Sequence, residues 1–281
     1  MNPVKEVQIP RFSQLWLEDL MYANEAQGKK PQAFDTPFRY SDSGKCARAM
    51  AYSYLGVKGE PFDAAGTLVT SVGTWIHELV QEAIERRYPG SKFEVPTQLD
   101  TSSGHCDGII ETDDLGRVLY ELKTMGSTSY RRSVGLTTSS FAKNGPEGPR
   151  YSTLLQSALN ALANDCDTIV VGHISLEAVS RGMAMRLGIP EWNRIIAEFV
   201  IPKQIWEPMA NRELYRQRGI LEMLDIDCLP ECVAIGDSGE ELELNPESDR
   251  FWQCGYCAYQ DQCINDGPGT PVFIREEINN G

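Results

Sequence analysis

Residues 104–125 read GHCDGIIETDDLGRVLYELKTM, and this stretch decides the fold. Two apolar segments, GHCDGIIET and RVLYELKT, flank Asp113-Asp114-Leu115-Gly116, which is typical of a tight turn. The pattern therefore predicts an antiparallel hairpin. Side chains alternate between the two faces of a strand, so Glu121 and Lys123 share one face. Asp107, on the neighbouring strand, can reach the same face.

Two carboxylates and a lysine on one sheet face favour a divalent cation. Carboxylates about 4 Å apart repel each other by about 4 kcal/mol at an effective dielectric constant of 20. A cation removes that cost, and hard oxygen ligands suit Mg²⁺ or Mn²⁺. Such an ion can lower the pKa of a bound water and stabilise charge on a phosphoryl oxygen. The E-x-K spacing is also common on solvated strand faces that carry an ordinary Glu–Lys ion pair, and this alternative stays open at this point.

The elements around the hairpin predict a mixed α/β sheet flanked by helices. An amphipathic helix, SVGTWIHELVQEAIERRYPG, precedes it and carries His77. Its apolar stripe is expected to consist of Trp75, Ile76, Leu79, Val80, Ala83 and Ile84. The other candidates are the strand KFEVPTQLD before the hairpin and, after it, the helix YSTLLQSALNALAND, the strands TIVVGHIS and RIIAEFVI, and a helix near 204–224. Residues 125–149 and 226–250 are expected to be loops.

The charge balance excludes a uniformly basic nucleic-acid-binding coat. The 281 residues include 26 basic and 40 acidic side chains, a formal net charge of −14. This charge is uneven, because residues 115–150 carry +4 and residues 205–281 carry −11. Salt screens charges beyond about 8 Å, so a locally basic stretch can still bind phosphates. Arg131 and Arg132 are therefore candidates for nucleic-acid contacts, although such charges also solvate ordinary loops.

Hydropathy predicts a soluble, cytoplasmic protein without a membrane partner. The mean hydropathy is −0.34. No run approaches the roughly 18 apolar residues of a membrane helix. The initial segment MNPVKEVQIPRF lacks the apolar core of a secretory signal.

Cysteine usage points to a metal centre. In a reducing compartment, clustered cysteines favour metal binding over disulfides. Three of the eight form a C-x-x-C-x-x-x-x-x-C motif at Cys254, Cys257 and Cys263. A fourth ligand can come from Cys46, or Cys228 and Cys232 can join Cys254 and Cys257 in a zinc site. Spacing alone does not choose between zinc and iron–sulfur. The remaining two, Cys106 and Cys166, are expected to be core thiols.

Taken in chain order, these residues resemble the PD-(D/E)XK nuclease superfamily, and more narrowly its RecB-like branch. The resemblance covers about residues 40–265 and rests on His77, Gly104-His105-Cys106-Asp107, Glu121-Leu122-Lys123 and Gln156. It implies a restriction-endonuclease-like core. It also implies that Mg²⁺ or Mn²⁺ is bound by His77, Asp107, Glu121 and the carbonyl of Leu122. Lys123 matches the catalytic lysine and Gln156 a helix glutamine with Tyr151 nearby, whereas Asn160 stands where that helix motif often has tyrosine.

The same resemblance implies a 4Fe–4S cluster. RecB-like nucleases of the CRISPR-adaptation and AddB types, and related phage exonucleases, hold the cluster with one cysteine before the core and three near the C-terminus. Cys46, followed by Arg48, and then Cys254, Cys257 and Cys263 match this arrangement. Cys228 and Cys232 are left without a role. The implied organisation is an N-terminal helical extension (1–40), a nuclease core (41–225) and an acidic C-terminal lobe (226–281) that closes the cluster with Cys46.

The sequence thus predicts a metal-dependent deoxyribonuclease, most simply an exonuclease that uses a metal-activated water on DNA ends or single strands. The candidates for contacting the strand are Arg48, Arg131, Arg132 and Tyr151, with Tyr130 or Phe141 stacking on bases. The alternative is a non-catalytic iron–sulfur or zinc-binding subunit of a DNA-processing complex. A recombination or helicase partner and a homo-oligomer are both compatible with the predicted function. Cleavage polarity and strand preference stay open.

Overall fold

The computed structural model describes residues 34–60, 64–136, 146–248 and 251–266, together with isolated positions between 15 and 22. Most of the predicted N-terminal extension, and Phe141, lie outside the described residues.

Three short strands form a first sheet in the order β1-β3-β2. They are β1 (Phe38–Arg39), β2 (Val95–Gln98) and β3 (Ser102–Cys106). β1 is parallel to β3, whereas β2 is antiparallel to it. The last strand of this sheet, β3, ends two residues before the next strand begins, so the first sheet leads directly into the hairpin.

The central sheet has four strands in the order β4-β5-β6-β7. They are β4 (Gly108–Thr112), β5 (Gly116–Met125), β6 (Thr168–Ser175) and β7 (Ile196–Pro202). β4 and β5 pair antiparallel across the turn, so the predicted hairpin is confirmed. Gly116 adopts a φ of 69° at the end of that turn, a conformation that glycine reaches without strain. β5 and β6 are parallel and β7 is antiparallel to β6, which makes the sheet mixed.

The described helices surround these strands. They are α1 (Ala47–Tyr54), α2 (Ala64–Arg87), α3 (Ser127–Ser133), α4 (Tyr151–Ala163), α5 (Arg181–Leu187), α6 (Lys203–Asp225), α7 (Trp252–Gly255) and α8 (Gln260–Asp266). A small antiparallel ribbon, β8 (Val233–Ile235) with β9 (Glu241–Glu243), follows α6. Among the described residues, none of these helices is long and apolar enough to cross a membrane.

The central sheet is covered on both faces. Leu119 and Ile169 pack with residues of α4 and α6, including Leu155 and Trp206, in the largest buried cluster. The alternate residues Val118, Tyr120 and Leu122 pack on the other face against residues of α2, namely Ile76, Val80 and Ile84. Parallel strands β5 and β6 require a crossover connection, and α4 supplies it. The predicted mixed α/β sheet flanked by helices is therefore confirmed.

Four details differ from the sequence prediction. The predicted strand GHCDGIIET is divided at Asp107, because β3 pairs with β2 whereas β4 pairs with β5. Two residues assigned to the apolar stripe of α2, Trp75 and Leu79, are 49% and 65% exposed, since one helix face alone meets the sheet. The presumed loop 125–149 contains α3, and the presumed loop 226–250 contains the β8–β9 ribbon.

Candidate active site and thiol-lined pocket

Asp107 occupies the junction between the two sheets. The chain leaves β3 at Cys106 and enters β4 at Gly108, so Asp107 is the one residue between them. The backbone N–H of Leu122 donates a 2.8 Å hydrogen bond to Oδ2 of Asp107. The approach to the junction is tight, because a Cβ at Gly104 would lie 2.8 Å from the Tyr40 ring. The hairpin therefore fixes the Asp107 carboxyl group against the middle of β5.

Helix α2 brings His77 to the same point. Its Nδ1 lies 3.6 Å from Oδ1 of Asp107, and the ring is hydrogen-bonded to the backbone of Leu122. One turn later, the Gln81 side-chain amide donates to the backbone carbonyl of Asp107 at 3.2 Å. Burial and the positive charge of Lys123 lower the pKa of His77, which favours the neutral imidazole that binds metals.

Glu121, Lys123 and Gln156 complete the group. The Nζ atom of Lys123 is 2.7 Å from Oε1 of Glu121 and donates to Oε1 of Gln156 at 3.3 Å. Glu121 is completely buried, and neither of its oxygens accepts a well-oriented hydrogen bond from a residue that the structure describes. Although burial opposes the charged form of Lys123, the carboxylates of Glu121 and Asp107 raise its pKa.

The pKa of Asp107 is raised by its surroundings. Burial, followed by the negative charge of Glu121, raises the pKa of Asp107 to about 8. A divalent cation between buried carboxylates would offset this repulsion. The donor chemistry fits Mg²⁺ or Mn²⁺, because two carboxyl groups, one of them with unsatisfied oxygens, lie beside a backbone carbonyl and a neutral imidazole. In the described ranges, however, no group of three or more His, Cys, Asp or Glu side chains is arranged to hold a metal ion.

Sequence inspection missed His173. This residue lies on β6 in register with Lys123, and its ring centroid is 5.0 Å from that of Phe199. It is 2% exposed, and its Nδ1 has no hydrogen-bond partner within the described part of the chain. Burial and the charge of Lys123 lower its pKa to about 4. The only available signal was a single histidine in the otherwise apolar strand TIVVGHIS.

Glu94 was also missed. It lies just before β2 with a φ of 49°, a left-handed conformation that is uncommon outside glycine. Its charge raises the pKa of Asp107 and opposes the lowering of that of His77. Glu94 therefore adds a third acidic side chain at the edge of the group, and no spacing rule in the sequence identified it.

The candidate nucleic-acid contacts are dispersed. Arg131 and Arg132 lie on α3, which begins two residues after β5 ends, with Arg132 exposed and Arg131 half-buried. Tyr151 begins α4 and packs close to Gly239. Tyr130 is completely buried and donates a hydrogen bond to the Asn193 carbonyl, so the prediction that it stacks on bases is wrong for this conformation.

Arg48 also requires a correction. It is 2% exposed, and its Nε donates to the Pro230 carbonyl at 2.8 Å while its guanidinium is hydrogen-bonded to Cys263. A side chain buried in this way has no surface to offer a DNA strand. Its assignment as a nucleic-acid contact is therefore dropped, and Arg48 belongs to the cysteine cluster instead.

Five cysteines line one pocket. It is lined by residues of α1, α7 and α8 and of the segments next to α1, β8, β9 and α7. The five are Cys46, Cys232, Cys254, Cys257 and Cys263. Of the two cysteines offered for the alternative zinc site, Cys232 lines the pocket, whereas the Cys228 thiol donates to the Leu229 carbonyl at 3.8 Å and does not line it. The core placement of Cys106 and Cys166 is confirmed.

The thiols in this pocket influence one another. Hydrogen bonding with Cys232 lowers the pKa of Cys46 to about 6 and that of Cys263 to about 7, with Arg48 adding to both shifts. Burial raises the pKa of Cys254 to about 11. Thiolates are soft ligands that suit zinc and iron–sulfur clusters, and convergence of buried and partly buried thiols from separate segments fits either group. The pocket therefore has the donor chemistry for the cluster that the resemblance implies.

Comparisons with known proteins leave the family open. No protein-family model matches the chain, and no curated protein matches it. A solved structure titled "Crystal structure of SSO0001" is similar to this chain with a TM-score of 0.49 and 15% sequence identity, over 90% of this chain and 96% of that one. A likeness at this level carries no argument about function.

Proposed function

We propose that this chain is a metal-dependent deoxyribonuclease that hydrolyses phosphodiester bonds, acting as an exonuclease on DNA ends or single strands. The observation that carries the proposal is the meeting of the buried Glu121 carboxyl group and the partly buried Asp107 carboxyl group with the ammonium group of Lys123. Structural ion pairs seldom bury a second carboxyl group beside the first without a partner, because the repulsion between them opposes folding.

The metal ligands in this proposal are His77, Asp107, Glu121 and the carbonyl of Leu122. When bound there, Mg²⁺ or Mn²⁺ supplies an acidified water and stabilises charge on the phosphoryl oxygen. Asp107 contributes by losing its proton, and His77 by staying neutral, which its lowered pKa favours.

Lys123 is the proposed catalytic lysine. An ammonium group has three N–H donors, and Glu121 and Gln156 lie within reach of two of them. The third is free to orient the attacking water or to hold a phosphate oxygen. Gln156 is a positioning residue in this scheme, because it touches the lysine rather than the substrate.

The DNA strand is proposed to run along α3. This short helix follows β5 directly and ends in the exposed Arg132 beside Arg131. Arginine side chains at such a place bind phosphates without reading the sequence. The net charge of −11 on residues 205–281 would disfavour DNA binding to that part of the chain.

A 4Fe–4S cluster in the five-cysteine pocket is the second part of the proposal, with Cys46, Cys254, Cys257 and Cys263 as its ligands. Its role is structural, since it would join the segment before α1 to α7 and α8. Zinc is the alternative occupant. Measuring iron, acid-labile sulfide and zinc in protein purified without oxygen distinguishes them.

Digestion of end-labelled DNA tests the nuclease proposal. Single-stranded and duplex substrates are incubated with Mg²⁺, Mn²⁺ or EDTA. Cleavage is expected with Mg²⁺ or with Mn²⁺, and none is expected in EDTA. Glu121→Gln should reduce the rate at least a hundredfold. The matched control is Glu111→Gln, since Glu111 is an exposed carboxylate of the same hairpin that pairs with Arg117. Equal rates for wild type and Glu121→Gln would sink the proposal, and cutting of circular single strands as fast as linear ones would exclude an exonuclease.

The pocket also favours a second candidate, a non-catalytic iron–sulfur or zinc-binding subunit of a DNA-processing complex. Five thiols line the pocket, and their sulfur atoms suit zinc or iron–sulfur whether or not the carboxylates act. A wild-type chain that contains iron or zinc, binds DNA and cleaves no substrate with either metal would support this second function.

A further inference from the structure

The five-cysteine pocket holds one thiol more than a 4Fe–4S cluster requires. Such a cluster takes four thiolates, and Cys46, Cys254, Cys257 and Cys263 already supply them in the proposed ligand set. Cys232 lines the same pocket, with its Sγ 3.2 Å from Sγ of Cys263. The extra thiol is therefore in contact with Cys263, and it is also hydrogen-bonded to Cys46.

The distance between these two sulfur atoms decides how they can be used. A 4Fe–4S cluster takes four cysteine thiolates, one on each iron, so two of its cysteine ligands do not share an iron. At 3.2 Å apart, Cys232 and Cys263 are close enough to reach the same iron. They therefore compete for one ligand position.

The two thiols are held there by independent pieces of backbone. Cys232 directly precedes β8, and its carbonyl accepts a 2.6 Å hydrogen bond from the Leu244 N–H across the ribbon. Cys263 belongs to α8, where its N–H donates to the Tyr259 carbonyl at 2.9 Å. Removing either side chain leaves the backbone of the other in place.

Arg48 supports both thiols from one side. Its guanidinium is hydrogen-bonded to Cys263, and its Nε is tied to the carbonyl of Pro230, two residues before Cys232. A positive charge at this place stabilises whichever of the two sulfurs is the thiolate. Cys228 has no such surroundings, because its thiol donates to the Leu229 carbonyl outside the pocket.

We propose that Cys232 is a reserve ligand that binds the iron–sulfur cluster in place of Cys263 when the Cys263 thiol is lost. This inference rests on the cluster part of the proposed function and is independent of the nuclease part. The cluster should therefore still bind when Cys263 is replaced. It should not bind when the replaced ligand is one, such as Cys254, for which no reserve thiol is proposed.

The test measures iron and acid-labile sulfide per chain after reconstitution without oxygen, together with the visible absorption of the cluster. The variants are Cys263→Ser, Cys232→Ser and the double variant, with Cys228→Ser as the control and Cys254→Ser as a ligand that lacks a reserve. We expect Cys263→Ser to keep at least half of the wild-type iron. The double variant and Cys254→Ser should each contain at least fivefold less iron than wild type. Cys232→Ser and Cys228→Ser should match wild type. Equal iron content in Cys263→Ser and the double variant overturns the proposal.

Alkylation by iodoacetamide, mapped by mass spectrometry, gives a second readout on the same samples. In Cys263→Ser, Cys232 should be protected when iron is bound and should react at least tenfold faster after iron is chelated. Equal rates in the two states overturn the reserve role even if the iron contents differ. A wild-type chain that takes up zinc but no iron and sulfide overturns the cluster and the reserve ligand together, while leaving the nuclease proposal standing.

Discussion

The Nζ atom of Lys123 lies 2.7 Å from Oε1 of Glu121, and this pair is the electrostatic centre of the candidate active site. Glu121 is completely buried, and Lys123 is the cationic side chain paired with it. Asp107 adds a second carboxyl group whose pKa is raised to about 8 by burial and by Glu121. When no cation is bound, these two carboxyl groups therefore face the single ammonium group of Lys123.

Lys123→Met should destabilise the metal-free protein by about 3 kcal/mol, because it leaves a buried carboxylate without its partner. Mn²⁺ should recover more stability in this variant than in wild type, since the cation replaces the missing charge. Urea unfolding in EDTA and in Mn²⁺ measures both effects. The double variant Glu121→Gln/Lys123→Met is the control and should regain part of the loss. Equal stability of Lys123→Met and wild type in EDTA would contradict the prediction.

His173 predicts a dependence of stability on pH. Its pKa is lowered from 6.5 to about 4 by burial and by Lys123, so between these values the unfolded chain binds a proton that the folded chain does not. The free energy of unfolding should therefore fall by about 3 kcal/mol as the pH drops from 6.5 to 4, and this contribution is constant above 6.5. Urea unfolding of wild type and His173→Gln at several pH values isolates it.

The control for that experiment is His105→Gln, which removes an exposed histidine of β3. The fall in stability that His173 predicts should persist in His105→Gln, because this variant keeps His173 and the surroundings that lower its pKa. If the free energy of unfolding changed with pH in the same way for wild type and His173→Gln, His173 would have the same pKa in the folded and unfolded chain, and the prediction would be contradicted.

Local patterns explain what the sequence could predict. The turn at Asp113-Asp114-Leu115-Gly116 and the alternation around it specify the β4–β5 hairpin, and the hairpin alone brings Asp107 to β5. The change of sheet at Asp107 was not predictable in the same way. β3 and β4 are both strand-like in sequence, and only their separate pairing partners divide them.

The features that were missed depend on residues distant in sequence. The spacing offered Cys232 for a zinc site together with Cys228, but it did not predict the contact of Cys232 with Cys263, which α8 makes with the segment before β8. Arg48 was misassigned because a basic residue is assumed to be exposed, whereas tertiary packing buries it beside Cys263. His173 lies beside Lys123 through the parallel register of β5 and β6, which depends on the crossover helix between them.

Arg132 should contribute to DNA affinity through phosphate contact alone. Binding to single-stranded oligonucleotides should weaken steeply with salt, and Arg132→Ala should lower the slope of log Kd against log salt by about 1. Fluorescence anisotropy measures the affinity, and both proteins carry Glu121→Gln so that the DNA is not cleaved during the titration. Arg218→Ala serves as the control, since Arg218 is an exposed arginine of α6 paired with Asp100. A slope unchanged by Arg132→Ala would remove α3 from the proposed strand path.

Cys257→Ala should remove the cluster and the stability it confers together. A cluster that joins Cys46 to Cys254, Cys257 and Cys263 restricts the unfolded chain as a long-loop disulfide does, which is worth about 5 kcal/mol. The variant should therefore lose its brown colour and unfold at a markedly lower temperature, measured by absorption and by circular dichroism on the same sample. Cys228→Ala, which removes a thiol outside the pocket, should change neither property. A colourless Cys257→Ala protein with full thermal stability would show that the group in the pocket does not hold the lobe to the core.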